Sequence, residues 1–287
     1  GCVVHLIDHR QSNIENAEAA LTDILQFLDE VDHTRNIDAV LDRVSMTTNL
    51  EAGVSDTEFI LETVTESLEI KHAVFTDLVR VAPETAVLAS NTSSLSITEL
   101  ASCVPEHADR VIGCHWWYPP YLLDPVEIAG GEQTEQETVD RTKAVVERVE
   151  HDPIIVEKEV PGFIWNRIQF AVLRECMHLA EHGVASINDI NRAVRDGYAR
   201  RTSVVGPFET VDIAGVELFQ TIASSLYPQL CDADEPHSLF DHHIEEGRTG
   251  VDGGAGFFEY DRSPAGVRKD RDRKLAARRS EHDVDTA

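Results

Sequence analysis

Lysine is scarce in this chain of 287 residues: there are five, against 52 aspartates and glutamates. With only 25 basic side chains in all, the net charge is −27. A surface this acidic repels nucleic acid and anionic lipid, which argues against both as general partners. Acids spread evenly along the chain read as a solvated face kept soluble in high salt, a halophile-like habitat signature and not a binding site. Long apolar runs are missing as well. No segment reaches the ~18 apolar residues of a membrane span, and no signal-peptide pattern opens the chain. Cysteine is sparse and odd in number (Cys2, Cys103, Cys114, Cys176, Cys231), with no C-x-x-C spacing. That argues against a metal site or a disulfide framework and for a reducing cytoplasm. There is no internal repeat.

The 42% of apolar residues suffices for one large or two ordinary cores. The opening "CVVHLIDHR" reads as a strand ending at Asp8, with a helix from about Ile14 to Leu28. Further strands are expected in "DRVSMTTNLE", "TEFILETVTES", "TAVLASNTSS", "ADRVIGCH", "DPVEIAG" and "DPIIVEKE", with helices through "IKHAVFTDLVRVA" and 134–149. Short buried strands alternating with amphipathic helices predict parallel βα units: an α/β, Rossmann-like doubly wound sheet over 1–159. After "EVPGFIWNR" the pattern turns helical, so an all-α domain is expected over 160–287. Its end, "RSPAGVRKDRDRKLAARRSEHDVDTA", is poor in large apolar residues and reads as a solvated or frayed tail.

The stretch 113–131, "GCHWWYPPYLLDPVEIAGG", sets His115 at the end of an apolar run and Glu127 twelve residues on. Cys114 beside it is a poor nucleophile candidate, because neighbours in a strand face opposite ways. Taken alone, the His–Glu spacing means little. Strand–Asp8–helix, however, is how the second strand of a dinucleotide-binding unit ends, its acid placed for ribose hydroxyls. "SNTSS" (90–94) closes a strand with hydroxyls and an amide, and "PGFIWN" (161–166) turns into a helix.

In this order "LIDH", "ILETVTESLEIKHAVF", "LASNTSSLSITELA", "IGCHWWYPPYLLDPVEI", "VPGFIWNR", "VGPFETVDIAG" and "GFFEY" resemble the L-3-hydroxyacyl-CoA dehydrogenase family, including its gulonate- and carnitine-type relatives. The resemblance runs from Val3 to Tyr260. It implies an NAD-dependent oxidoreductase acting on a hydroxyacyl-CoA and forming a homodimer through the helical domain. His115 would be the general base and Glu127 the carboxylate that fixes its tautomer. Ser93, in preference to Ser94, would hold the reacting hydroxyl, and the amide of Asn166 the carbonyl. Asp8, Glu66, Lys71 and Asn91 would face the cofactor. Asp8 favours NAD over NADP by repelling a 2′-phosphate, with His9 and Arg10 as a counterweight.

The family's first strand, glycine-rich turn and first helix would precede Asp8 by roughly 20 residues. The chain is accordingly read as starting partway through the fold. A strand place is expected between the strand ending at Asp8 and the one ending near Val64, so that residues 1–287 alone would bind NAD weakly.

Two positions depart from the family pattern. Tyr118 stands where an asparagine is usual, and Asp252 lies near the place of a lysine expected before "GFFEY". Both put the substrate in question more than the reaction: a small non-CoA hydroxy acid, or a non-catalytic relative, are the alternatives. A basic patch for CoA would have to come from residues such as Arg200 and Arg201.

Overall fold

The apolar runs of the first half form seven short strands: β1 Val4–Ile7, β2 Val44–Thr47, β3 Phe59–Glu62, β4 Val87–Ser90, β5 Val111–Trp116, β6 Pro125–Gly130 and β7 Asp152–Val156. Between them lie helices α1 Gln11–Asp32, α2 Ile37–Leu41, α3 Leu50–Val54, α4 Leu68–Val81, α5 Ile97–Ala101 and α6 Gln136–Arg148. The computed structural model describes residues 1–32 and 36–285. Gly1–Arg167, together with the chain from Asp270 onward, forms one compact unit, and Ile168–Lys269 a second.

Strands β3-β4-β5-β6-β7 make one sheet in that order, and β1-β2 a separate parallel pair. All four residues of β4 are buried, as a central strand covered on both faces requires. Its side chains alternate between two cores. Leu88 joins Phe75, Leu78, Ile97 and Leu100 from α4 and α5, whereas Val87 and Ala89 face Ile112, Ile128 and Val146 on the α6 side. Helices on both faces are the doubly wound arrangement the sequence predicts. Polar side chains cap the helix starts: Asn49 accepts from the Ala52 amide and Ser96 from that of Glu99, each at 3.1 Å.

Not every strand is parallel. No helix separates β5 from β6, and β6 runs antiparallel to β5, with His115 paired opposite Glu127. A parallel crossover needs a dozen or more residues, and the link from Trp117 to Asp124 is too short for one. β7 follows α6 and is again parallel, to β6.

The two sheets meet through α3, which packs on β1 and on α4. The approach is so close that a Cβ on Gly53 would lie 2.6 Å from both Cγ1 and Cδ1 of Ile7. Ile7 in turn packs against the main core. β1 and β3 are not hydrogen-bonded to each other.

In the second unit α7 Trp165–Glu181, which begins in the first, leads to α8 Ile187–Arg192, α9 Ala199–Thr202, α10 Pro207–Ala214, α11 Val216–Leu226 and α12 Ser238–Glu245. Ser186 caps α8 by accepting from the Asp189 amide at 3.1 Å. Met177 and Ile190 are buried within this unit. The tail differs from its expectation as a frayed segment. It forms α13, Pro264–Asp285, and Leu275 and Ala276 pack on Phe27, Leu28, Leu122 and Tyr121 of the first unit. Two apolar residues in a charged helix suffice because Leu122 and Phe27 supply the rest of that core.

Gly53→Val should overpack the α3–β1 contact and destabilise the fold by about 1–3 kcal/mol, read as a lower denaturant midpoint at an unchanged slope. An unchanged midpoint would mean that Ile7 moves aside at no cost.

Candidate active site

Four side chains from distant parts of the sequence converge within the first unit. His115 and Glu127 are cross-strand neighbours on β5 and β6, 5% and 0% exposed. His115 Nδ1 lies 2.7 Å from Glu127 Oε2. A carboxylate only accepts, so Nδ1 carries the proton and the neutral ring keeps its lone pair on Nε2. That nitrogen lies 3.3 Å from the Ser93 hydroxyl. Asn166, in the first turn of α7, donates from Nδ2 to the Ser93 carbonyl at 3.1 Å. His115, Ser93 and Asn166 thus line one spot, and Glu127 backs it.

A carboxylate this deeply buried is tolerable only if every lone pair is used. Glu127 Oε1 accepts the backbone amides of Ile164 and Trp165, both at 2.8 Å, at the N-terminus of α7. Oε2 accepts from His115 and from the Trp117 indole at 3.1 Å. Burial works to raise this carboxyl, but the His115 bond and the three other donors outweigh it and hold it below the usual carboxylate range. The helix N-terminus adds its favourable dipole. The preceding turn is tight: Gly162 and Phe163 both have positive φ, 78° and 48°. This turn brings the Phe163 ring to 5.8 Å from that of His115.

Ser93 is held from the other side by Glu66. Its Oε1 accepts from the Thr92 hydroxyl at 2.7 Å, the Ser93 and Ser94 amides at 2.9 and 3.1 Å, and the Ser94 hydroxyl at 3.1 Å. Burial opposes its ionisation, yet these donors and Lys71 keep its carboxyl below the ordinary value. Ser94, the alternative register, is therefore tied to Glu66, and Ser93 is the serine that meets the histidine.

Lys71 is not where the sequence reading puts it. Expected beside the cofactor, it is 1% exposed, with Nζ 2.8 and 3.0 Å from the two oxygens of Glu62 and 3.4 Å from Glu66 Oε2. α4 packs its first turns on the sheet, which draws the lysine inward, and Glu62 at the end of β3 supplies the charge that makes this burial tolerable. Glu62 also accepts from the Ser90 hydroxyl at 2.7 Å and the Val64 amide at 2.6 Å. Sequence reasoning missed Glu62. The one signal was a glutamate closing the otherwise apolar "FILE".

The remaining candidates lie at the carboxyl ends of strands, where dinucleotides bind in this architecture. Asp8 follows β1 and accepts from the Arg10 amide at 2.8 Å and from Asn13 at 3.1 Å on each oxygen. These bonds, that of Arg10 first, lower its carboxyl. A carboxylate offers about four lone-pair sites, so Asp8 keeps acceptor capacity for a ribose hydroxyl. Asn91 follows β4, and its Oδ1 accepts the Trp116 amide at 2.8 Å, leaving its amide protons for a ligand. These residues fit a nicotinamide dinucleotide.

Other groups drop out. Cys114 is buried on the opposite face of β5, and burial pushes its thiol up to about 12. Trp116 packs in the core against His151. Asp252 pairs with Arg268 at 2.6 Å, and Arg200 and Arg201 are exposed in α9. Among the described residues no cluster of three or more His, Cys, Asp or Glu could hold a metal, and no helix is long and apolar enough to cross a membrane.

Known proteins resemble this chain in sequence and fold. The family model described as the NAD-binding domain of 3-hydroxyacyl-CoA dehydrogenase covers residues 1–160, and that for the C-terminal domain covers 162–260. The chain belongs to the 3-hydroxyacyl-CoA dehydrogenase family. It is 33% identical over 224 residues to a 3-hydroxybutyryl-CoA dehydrogenase of Clostridioides difficile, a match covering 78% of each chain. An L-carnitine dehydrogenase of Oceanobacillus iheyensis is 34% identical over 174 residues, 61% of this chain and 56% of that protein. Among solved structures, a 5-formyl-3-hydroxy-2-methylpyridine 4-carboxylic acid 5-dehydrogenase, described as an NAD+-dependent dismutase, superposes with a TM-score of 0.88 at 28% identity, covering 96% of this chain and 89% of that one. The cofactor of this family member is NAD, and its chemistry is oxidation–reduction.

The folded-state value of Glu127 is depressed. Its stabilisation is therefore complete above the unfolded carboxyl value of about 4.3 and is lost as pH falls through the lower folded value. Glu127→Gln should lower Tm at pH 7, and the gap from the parent should narrow progressively below about pH 4. A gap of constant size from pH 7 to pH 3 would show that Glu127 is not ionised in the fold.

Proposed function

We propose that the protein catalyses NAD-dependent oxidation of an L-3-hydroxyacyl-CoA to the 3-ketoacyl-CoA. The observation that carries the reading is the Glu127–His115–Ser93 line, with Asn166 beside it. NAD, held by Asp8 and Asn91, would supply the hydride acceptor for the carbinol carbon. His115 Nε2 takes the hydroxyl proton, and the imidazolium so formed is stabilised by Glu127 through Nδ1. The Ser93 hydroxyl orients the substrate oxygen toward Nε2. The second amide proton of Asn166 is directed at the carbonyl and polarises it in the reverse reduction. Asp8 and Asn91 are assigned to the cofactor. Glu66 acts by holding the serine turn, and Lys71 by neutralising Glu66.

A second reading is favoured by the similarity to L-carnitine dehydrogenase and by Tyr118 in place of the family's asparagine: a small non-CoA hydroxy acid as substrate. We further infer a homodimer formed through the helical unit. Phe208, Ile213, Val216 and Leu218 of α10 and α11 are all exposed there, Phe208 by 85%, which supports an apolar contact with a second copy. Five free cysteines accord with a cytoplasmic location, and the charge of −27 with high salt.

NADH-linked reduction of acetoacetyl-CoA, run beside free 3-keto acids, separates the two substrates. Acetoacetyl-CoA should give the higher kcat/KM, and a preference for a free keto acid would transfer the assignment to the second reading. On the better substrate His115→Gln should lower kcat by ~10²-fold or more. Near-normal turnover would return His115 to a packing role.

Asp8→Ser should weaken NAD binding and relax discrimination against NADP, since an acceptor and a repelling charge vanish together. A parent enzyme that already prefers NADP would overturn the role given to Asp8.

A further inference from the structure

A line of contacts leads from the buried carboxylate of the site to the C-terminal helix, all within the first unit. Trp117 begins it. Its indole donates to Glu127 Oε2, the same oxygen that faces His115, and its ring stacks on Trp165 with centroids 4.1 Å apart. The next residue, Tyr118, lies under the Arg271 guanidinium, 4.7 Å from ring centroid to carbon. Three residues further, the Tyr121 hydroxyl donates to Asp272 Oδ2 at 2.8 Å. Burial first, and then the Asp272 carboxylate, pushes the Tyr121 hydroxyl up to about 12, so it stays a donor throughout the working range. Arg271 grips the other oxygen of Asp272 from Nε and Nη2 at 2.8 and 2.7 Å. The loop of residues 117–122 is therefore pinned at one end to the His–Glu pair and at the other to α13.

We propose that α13 is a positioning element for catalysis. Asp272, acting through Tyr121, fixes the loop and with it the Trp117 bond that orients Glu127. The inference rests on the reading of His115 and Glu127 as base and partner. An indole N–H donates and cannot accept, so Trp117 leaves Oε2 one favourable orientation toward His115. A small displacement of the loop lengthens the 2.7 Å bond that stabilises the imidazolium as it forms, and that interaction is felt mainly in the transition state. Packing alone does not account for the Tyr121–Asp272 pair. Asp272 is only 6% exposed, and an apolar pair would hold a peripheral helix without the cost of burying a carboxylate. What the polar pair adds is direction.

The full-length chain tests this in steady-state kinetics with both substrates varied. Tyr121→Phe removes one oxygen and Asp272→Asn one charge. Each should lower kcat about three- to tenfold while both KM values stay within about twofold, because the lost interaction is one made in the transition state. Trp117→Phe should lower kcat at least as much, and adding Tyr121→Phe to it should cost almost nothing more, since the two residues act along one path. Parent-like kcat in Tyr121→Phe and Asp272→Asn, with His115→Gln inactive, overturns the proposal and leaves the catalytic pair standing. Fully multiplicative losses in the double variant overturn it too, because the effects then arise separately. Turnover retained in His115→Gln overturns both the pair and the inference built on it. Should Asp272→Asn fail to fold, as a lost far-ultraviolet melting transition would reveal, Tyr121→Phe and the double variant decide the matter.

Discussion

Eight residues, Trp117 to Asp124, join β5 to β6, and a link of that length returns the chain antiparallel. Antiparallel pairing sets His115 directly across from Glu127, on one face and within hydrogen-bond reach. Strand register therefore brings the pair together, and the Trp117 indole, which donates to the same Glu127 oxygen, sets the final orientation of the 2.7 Å bond. Had β6 been parallel, the same twelve-residue spacing could not have closed. The one antiparallel pairing in this sheet is thus the one that brings the histidine and the carboxylate together.

Two buried carboxylates then organise everything around that pair. Glu127 gathers His115, Trp117 and the first amides of α7, so the start of the helix that carries Asn166 is tied to the sheet. Glu62 gathers Lys71, Ser90 and the Val64 amide, and Lys71 passes its charge on to Glu66, which grips the serine turn. Each anion would be costly if any partner were lost, because the remaining charge could not be re-solvated. That vulnerability is also why the arrangement is specific: a shifted α4 or α7 leaves an ion unpaired. Ser93 and Asn166 belong to different networks, and they meet at the 3.1 Å bond between the Asn166 amide and the Ser93 carbonyl.

Much of this was legible in the sequence where one residue type has one economical use. Apolar runs of four to six residues with helices between them specify a doubly wound sheet, and Asp8, Ser93, His115, Glu127 and Asn166 could be picked out from motif order. What could not be read was direction and depth. Nothing local in "DPVEIAG" states that its strand runs backward; only the length of the preceding link does. Lys71 reads as a cofactor contact, because the glutamate that draws it inside is nine residues away on a strand. The part played by Trp117 is equally hidden, since a sequence does not reveal where an indole N–H points. The tail misled for a related reason. Its composition is that of a solvated segment, but a helix needs only a narrow stripe to dock, and the stripe here is completed by residues of α1 and the 117–122 loop.

Two oddities of the sequence, Tyr118 and the charged tail, are explained by the same contact. An asparagine at 118 would offer no aromatic face to a guanidinium, whereas the tyrosine ring gives Arg271 a platform. Arg271 placed there is also positioned to grip Asp272, and Asp272 accepts from Tyr121 in the same loop. The departure from the family pattern at one position and the persistence of a helix at the other are thus two sides of one joint. A charged helix is well suited to such a joint in a protein of net charge −27. Its arginines are attracted to the acidic body, and the directional bonds of Tyr121 and Tyr118 convert that general attraction into one defined register.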